Sequence, residues 1–418
     1  QDRLEIRGVA GTRGGLTISN TNHNEPAVSF ARNSTATARM FITEPDATHT
    51  STLNFQTSNA SGGGPNLVTA MTIDHNQNVT LAGSLAINGM AIKSFATQSM
   101  IISNDGGTGT IDAANYNTGF GFEVFDDLTT GDQNVAVGTK ALTSCLGGSD
   151  NTCIGVATGE GLTTGNKNVI IGSHAGYNQA MTGNENHLIG RISGRNITNG
   201  NYNIGLGSFT LNTMNGGDGN IAIGRSALGS INNVNYNIGI GFEALSTNSS
   251  TAELIAIGRQ SQKVNLTGTS NTSVGTETLK TNQTGNNNTA MGYQALMTNT
   301  GADNTAFGRK ALVLNQGGAR NTAVGAEALD SNIGANDNTA VGQACMQATT
   351  TGGLNTAVGV SAMSANVGGE SNQAFGRRAL YTNESGSQNV AIGYLALNMS
   401  TTSYNTAVGN SALQTASS

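Results

Sequence analysis

Residues 286–342 read NNNTAMGYQALMTNTGADNTAFGRKALVLNQGGARNTAVGAEALDSNIGANDNTAVG, and within them the phrase N-T-A-x-G returns four times. Followed in both directions, the phrase places a glycine at eighteen positions from Gly121 to Gly409. Of the seventeen intervals between these glycines, fourteen span 17 residues, two span 16 and one spans 18. A disordered polar chain has no physical reason to keep this phase, so the sequence predicts a stack of repeated structural units.

Each repeat unit carries the same residue types at the same places. Asn stands four residues before the glycine in every copy except one, where Leu254 replaces it. Asn tolerates left-handed backbone angles at a corner, and amides stacked from unit to unit can form a hydrogen-bonded ladder. Between this Asn and the glycine lie Thr, Val or Ile, then usually a small residue, then a large apolar residue. This alternation is typical of a short β-strand.

The two faces of this short strand have different predicted roles. The large residue before the glycine, as in Val137 and Phe307, is interpreted as the filling of the core. The small middle residue is interpreted as a place where another backbone approaches closely. An Ala-Leu pair follows the glycine, and a second Asn recurs three residues beyond the Leu in units from Asn248 to Asn383. The unit is therefore predicted to hold two short strands and two corners.

Stacking of these units determines the predicted fold. Fixed Gly and Asn would each cost roughly 0.5–1 kcal/mol in a helix interior, which argues against helices. Stacked strands lie about 4.8 Å apart and together bury apolar side chains that one unit alone cannot bury. The predicted fold class is all-β, a trimeric parallel β-roll or β-solenoid of about eighteen coils with a small β-rich domain before it.

The amino-terminal quarter of the chain lacks the 17-residue phase. It contains alternating runs such as ARMFIT and TLNFQT, which are separated by Asn, Gly and Asp turns and are typical of strands. We predict a β-rich shaft-like or knob-like domain over residues 1–93, a linker over 94–111 and the repeat roll over 112–418.

The phrase N-x-A-[VI]-G-x-x-A resembles the head repeat of trimeric autotransporter adhesins, which winds as a left-handed parallel β-roll. The longer unit with its Ala-Leu pair also resembles repeats of tailed-bacteriophage tail fibres and of fibres of some large viruses. The resemblance covers about residues 112–418 and implies three parallel chains. The row of small residues, including Ala136, Ala290 and Ala391, is an independent reason to predict a homotrimer packed through that row.

Composition excludes several classes of partner. Charged residues make up 11% of the chain, the net charge is −6, and no run of Lys or Arg occurs. Nucleic acid and anionic membranes are therefore disfavoured as partners. No segment reaches eighteen consecutive apolar residues, so the sequence predicts a soluble chain without membrane insertion.

Candidate chemical groups are scattered, and no catalytic, cofactor-binding or metal-binding residue is predicted. The five histidines (His23, His49, His75, His174 and His187) form no zinc-binding motif. The Gly-x-Gly pairs that end at Gly121, Gly207 and Gly241 belong to the repeat and are not a dinucleotide loop. The acidic residues show no paired cluster of the kind that glycoside hydrolysis needs. These include Glu123, Glu160, Glu185, Glu243, Glu253 and Glu277.

Three further features leave alternatives open. Calcium binding is conceivable at Asp132, Asp150, Asp218, Asp303 and Asp337, which lie in turns, although most turns carry no Asp. Cys153 and Cys345 are interpreted as small core residues, while one disulfide between Cys145 and Cys153 is conceivable. Glycosylation sequons occur at Asn33, Asn78, Asn196, Asn265 and Asn383 and matter only if the host glycosylates the chain.

The sequence predicts a non-enzymatic structural fibre and host-surface attachment protein, located in a virion or at a cell surface. Its predicted partners are two further copies of itself, a host-surface glycan or protein receptor, and a virion or baseplate attachment protein. The alternative is a cellular surface adhesin or an extracellular structural filament. A polysaccharide-cleaving tailspike and an ice-binding protein are weaker alternatives.

Overall fold

A computed structural model describes residues 27–32, 35–43, 52–58, 67–73, 79–81, 85–87, 90–94, 100–103, 114–177, 180–248 and 253–415. Within these ranges the regular elements are β-strands and none is a helix, as the sequence predicts. The chain divides into two compact units, Gln1–Ser94 and Phe95–Ser418.

The first unit contains a five-stranded antiparallel sheet in which each strand pairs with the next along the chain. Its strands are β1 (Ala27–Arg32), β2 (Thr35–Thr43), β3 (Thr52–Ser58), β4 (Leu67–Ile73) and β5 (Val79–Leu81). Two short strands then pair antiparallel with each other, β6 (Leu85–Ile87) and β7 (Met90–Ser94).

The second unit is a parallel β-solenoid. Its first strand, β8 (Met100–Ser103), lies within the predicted linker and pairs in parallel with the strand of the first repeat. Each of the eighteen repeats then contributes one three-residue strand, and each of these pairs in parallel and in register with the next. The repeat strands are β9 (Thr118–Phe120), β10 (Val135–Val137), β11 (Thr152–Ile154), β12 (Val169–Ile171), β13 (His187–Ile189), β14 (Ile204–Leu206), β15 (Ile221–Ile223), β17 (Ile238–Ile240), β19 (Ile255–Ile257), β21 (Thr272–Val274), β22 (Thr289–Met291), β23 (Thr305–Phe307), β24 (Thr322–Val324), β25 (Thr339–Val341), β26 (Thr356–Val358), β27 (Gln373–Phe375), β28 (Val390–Ile392) and β29 (Thr406–Val408).

The prediction of a second strand in every unit is wrong for most coils. In the described residues only three coils form one, and these strands are β16 (Ser230–Ile231), β18 (Thr247–Asn248) and β20 (Val264–Asn265). The segment at the Ala-Leu place is itself a turn, and the residue at the Leu place takes a left-handed backbone angle even where a second strand follows, as at Leu228 before β16 (φ 48°). Leu296, for example, has φ 50°.

Buried asparagines form the predicted ladder. The Asn321 backbone N–H donates to Oδ1 of Asn304 at 3.0 Å, and its Nδ2 donates to the same oxygen at 3.2 Å and to the Ala335 carbonyl at 2.7 Å. This pattern recurs along two runs, Asn117 to Asn237 and Asn271 to Asn405, which are separated only by Leu254. All of these asparagines except Asn405 are fully buried, so each side chain replaces its lost water contacts with bonds between coils.

Left-handed residues occur at three places in each coil, and the ladder Asn is not one of them. The predicted left-handed angle at Asn is therefore wrong, since the residue before it takes that angle. In one coil the three are Asn287, Gln294 and Leu296, at φ 56°, 58° and 50°. Each donates its backbone N–H to a carbonyl of an adjacent coil at 3.0 Å. Left-handed angles cost roughly 1–2 kcal/mol per residue, and these intercoil bonds offset that cost.

The repeat glycines stack directly on one another. Gly308 has φ +141°, and a Cβ added to it would lie 2.5 Å from the carbonyl oxygen of Gly325 in the next coil. A side chain is thus excluded both by the backbone angle and by the neighbouring coil. This explains why all eighteen copies carry glycine here.

The predicted orientation of the repeat strand is wrong. In all eighteen repeat strands the middle residue is buried and both flanking residues are at least partly exposed. The small residue therefore faces the interior, as in Ala290 and Ala323, while the large residue, as in Phe307, lies on the outer face. Interior space is narrow because the Ala-Leu pair, as in Ala295 and Leu296, fills it from the opposite side.

The middle residue of the repeat strand and the residue at the Leu place face each other in the core, and their volumes compensate. Where the usual Leu of the Ala-Leu pair is replaced by Gly176, the strand contributes Ile170, whose Cδ1 would lie 3.1 Å from a Cβ on that glycine. Conversely, Phe125 at the Leu place faces Gly119 on the strand, where a Cβ would lie 2.9 Å from the ring. These two coils therefore each contain one large and one small residue at this contact, which keeps the interior close-packed.

We expect Asn338→Ala to lower the free energy of unfolding by about 2–4 kcal/mol, because the Gly352 carbonyl and the Asn355 N–H would lose their buried partners. The matched control is Asn336→Ala in the same coil, which removes one exposed bond from the Ala319 N–H and should cost less than about 1 kcal/mol. Denaturant titration of both variants measures the difference, and equal losses would refute a structural role for the ladder.

Ile170→Ala alone should cost about 2–5 kcal/mol by leaving a cavity. Gly176→Leu alone should overpack the coil by about 1–3 kcal/mol. The double variant reproduces the Ala136 and Leu142 pair of another coil, in which Leu142 has φ 52° and Gly176 itself has φ 56°. Its loss should therefore be clearly smaller than the sum of the single losses in a double-mutant cycle. Simple additivity would contradict volume matching.

Candidate interaction surface

The third residues of the repeat strands form a continuous apolar row on the outside of the solenoid. Consecutive members are adjacent through parallel pairing, as in Met291, Phe307 and Val324. Phe307 is 52% exposed and Met291 is 41% exposed. We call this set the outer apolar row, and its members are Phe120, Val137, Ile154, Ile171, Ile189, Leu206, Ile223, Ile240, Ile257, Val274, Met291, Phe307, Val324, Val341, Val358, Phe375, Ile392 and Val408.

The outer apolar row was missed by reasoning from the sequence, although a signal for it exists. Alternation with period two shows that the middle and third strand residues lie on opposite faces, but not which face is inside. The size of the interior decides, because a coil of about 17 residues that already contains a buried Leu has room for Ala and not for a second large side chain. The small residue was therefore the core residue.

Some charged side chains on the solenoid surface form ion pairs. Glu277 accepts a hydrogen bond from Gln294 and ion-pairs with Lys280 and Arg259, and this arrangement holds the pKa of its carboxyl below the ordinary value. Further ion pairs among the described residues are Lys140–Glu123, Lys263–Glu243, Arg309–Glu327 and Arg320–Asp337. All involve partly exposed groups, so they contribute little stability and mainly order the surface.

One open cleft of about 350 Å³ lies at the start of the repeat strands, whose first residues share the outer face with the outer apolar row. It is lined by Lys167, Glu185, His187, Tyr202 and Ile204. These residues come from three successive coils, and His187 occupies a strand position that is Thr, Val or Ile in most repeats. The side chains of Lys167, Glu185 and Tyr202 have no ion pair or hydrogen bond with another described residue. Tyr202 is 61% exposed.

The turn aspartates have structural contacts. Asp132 and Asp218 accept backbone N–H bonds from the preceding coil, from Asn115 at 2.6 Å and Asn201 at 2.8 Å. The Arg320 guanidinium holds the pKa of Asp337 below its ordinary value. Across the described part of the chain, no three or more His, Cys, Asp or Glu side chains form a group that could hold a metal ion.

The remaining candidate residues are not brought together. His174 contacts the Ser173 hydroxyl and the Tyr177 ring, while His23, His49 and His75 lie outside the described residues. Asn265 and Asn383 are fully buried, which excludes glycosylation of the folded chain at those two sequons. Asn33 and Asn78 also lie outside the described residues.

All three cysteines are free and buried, so the conceivable bridge between Cys145 and Cys153 is not formed. Burial raises the pKa of the Cys145 and Cys345 thiols to about 12, and it raises that of Cys153 as well. Since the thiolate is the reactive form, these groups are inert in the folded protein. Cys153 and Cys345 are small core residues, as the sequence predicts.

Among the described residues there is no helix that is long and apolar enough to cross a membrane. Comparison of the chain with protein-family models, with curated proteins and with solved structures gave no match. What is established is therefore the fold: the chain is a repeat protein that winds as a parallel β-solenoid with coils of about 17 residues.

Proposed function

We propose that this protein is a non-enzymatic structural fibre that assembles as a homotrimer and attaches to a host surface. The observation that carries the proposal is the outer apolar row, which runs the length of a solenoid with a constant in-register repeat. Eighteen coils at about 4.8 Å give a rod roughly 80–90 Å long. Such a rod is suited to holding a binding surface at a distance, as a virion fibre or a cell-surface adhesin does.

The outer apolar row supports association of copies of this chain. The largest exposed apolar patch on a typical monomeric soluble protein covers about 300–600 Å². An exposed apolar row that extends along eighteen coils is therefore a large apolar surface for a monomer. A row on a regular repeat presents similar chemistry at every level, so identical chains in parallel would meet in register. The small residues cannot form the predicted trimer contact, because residues such as Ala290 are buried inside their own coil. In this proposal the outer apolar row forms the contact instead.

Carboxylate chemistry gives no support to a hydrolytic alternative. A glycosidase acid needs a raised pKa. Here hydrogen bonds and nearby cations lower the pKa of Glu243, Glu277 and Asp337. These three carboxylates are therefore unsuited to the role of the acid, and we propose binding of surface polysaccharide without cleavage.

The cleft beside Tyr202 supports glycan attachment. An exposed Tyr ring offers a flat apolar face with a polar edge, which suits the apolar face of a sugar ring. The unpaired Glu185 carboxylate accepts hydrogen bonds from sugar hydroxyls, and Lys167 and His187 donate them. Contacts of this kind are individually weak, and three copies on one fibre would strengthen them by avidity.

Light scattering after size-exclusion chromatography should give three times the chain mass of 42.4 kDa. Phe307→Lys with Phe375→Lys should dissociate the trimer, because the charges would be desolvated in the apolar contact. The control pair, Ile333→Lys with Val367→Lys, replaces side chains that are 47% and 42% exposed but lie outside the repeat strands. A monomeric parent protein, or equal effects of the two pairs, would overturn the proposed contact.

Attachment can be measured as binding of the native protein to an array of immobilised cell-surface glycans. Tyr202→Ala should reduce binding at least about tenfold, which corresponds to the loss of about 1.4 kcal/mol from one well-placed contact. Tyr236→Ala is the matched control, since Tyr236 occupies the equivalent place two coils later, is 65% exposed and does not line the cleft. Absence of binding to every glycan, or equal losses in both variants, would refute this assignment.

A further inference from the structure

The apolar core of the solenoid is divided in two. One cluster of buried apolar side chains extends from Ala114 to Ala256, and the other from Leu279 to Ala407. Three polar side chains, Ser261, Gln262 and Ser273, fill the interior between the two clusters, and all three are fully buried. The division therefore crosses the interior between two adjacent coils, since Ser261 and Gln262 lie in one coil and Ser273 lies in the next.

The three polar side chains bond to one another and to the backbone carbonyls of Ile255, Asn271 and Ser273. The hydroxyls of Ser261 and Ser273 lie 2.6 Å apart, and Gln262 Nε2 donates to Ser273 Oγ at 2.9 Å and to the Ile255 carbonyl at 2.9 Å. Gln262 Oε1, however, is buried and accepts no hydrogen bond. We call these three residues the polar plug. It replaces the apolar contacts of other coils with a partly satisfied network, and such a network is less stable than an apolar core.

The same coil interrupts the first Asn ladder. Leu254 is still bonded to the preceding ladder Asn through its backbone, since its N–H donates to Asn237 Oδ1 at 3.1 Å. Its side chain has no amide that could bond to the next coil. The ladder therefore begins again at Asn271. The side-chain bond of the Asn ladder, which joins the coils at all remaining levels, is therefore missing at the place where the apolar core is also missing.

The interior also changes character one coil before this level. Before it, the place three residues after the usual Leu is apolar, as in Met214 and Ile231. From Asn248 onward that place is Asn in most coils, with Thr349 and Ser400 as exceptions, and these asparagines form a second buried ladder whose first step, Asn265 Nδ2 to Asn248 Oδ1, is long at 3.5 Å. Later steps are shorter, as in Asn299 Nδ2 to Asn282 Oδ1 at 3.0 Å. The two halves thus have different cross-sections joined at one coil.

We infer that the coil over residues 254–270 is a built-in boundary at which the solenoid opens first and across which its two halves unfold as separate cooperative units. In a stacked repeat protein, stability is the sum of unit terms and nearest-neighbour contacts. A level that lacks both the ladder bond and the apolar contact couples its neighbours weakly, so unfolding of one half stops there. In an extended protein, such a boundary allows one half to survive heat or shear that opens the other.

Amide hydrogen exchange of the full chain, read peptide by peptide in increasing guanidinium, tests the boundary. Peptides from 114–248 and from 275–412 should open at two different denaturant concentrations, and peptides from 254–270 should exchange before either. The repaired variant Leu254→Asn/Ser261→Ala/Gln262→Leu/Ser273→Ala carries the residues usual in other coils. Its boundary peptides should exchange about tenfold more slowly, which corresponds to a gain of about one net hydrogen bond. The two denaturant concentrations at which the halves open should converge.

Ser193→Ala with Thr210→Ala is the matched control, because it removes another buried hydroxyl pair, 2.7 Å apart, from within the first half. Its two midpoints should stay apart. Leu254→Asn alone restores only the ladder and should narrow the gap partially, which provides a second test if the fourfold variant fails to fold. A single midpoint for the whole solenoid of the parent protein, or an unchanged gap after repair, would overturn the inference.

Discussion

The buried Asn ladder is the interaction on which the rest of the solenoid depends. Each coil holds about three residues at left-handed angles, which an isolated 17-residue segment would not adopt at a cost of roughly 1–2 kcal/mol per residue. Bonds such as those from Asn321 to Asn304 and to the Ala335 carbonyl exist only between stacked coils. The local strain is therefore stabilised by neighbours, and the fold is cooperative along its length. The weakly coupled coil at Leu254 follows from the same dependence.

A narrow interior explains the surface. Because the stacked glycines and the buried Leu leave little space, the strand faces inward with Ala, Gly or Ser in most coils, and its large residue lies outside. Where Ile170 or Leu188 does face inward, glycine opposes it at 176 or 194. The outer apolar row is thus a consequence of coil size, and the proposed assembly of copies along it uses a surface that the fold cannot bury by itself.

Much of this architecture was predictable because it depends on spacing. The constant interval between glycines predicts coils, and the Asn at one place in nearly every coil predicts a ladder of amides. The orientation of the strand was not predictable from alternation alone, since reversing the two faces leaves the period unchanged. Likewise, the cleft beside Tyr202 depends on three coils that are adjacent only after stacking.

By itself the sequence determined the repeat length, the all-β class and the positions of the ladder, because these follow from local chemistry at fixed intervals. Only the tertiary structure decided which face of each strand is buried, that the Leu and the residue before the ladder Asn take left-handed angles while the ladder Asn does not, and that Ser261, Gln262 and Ser273 meet across two coils. The physical reason is the same for all three. Each depends on the space and the hydrogen-bond partners that a neighbouring coil provides, and these exist only once the coils are stacked.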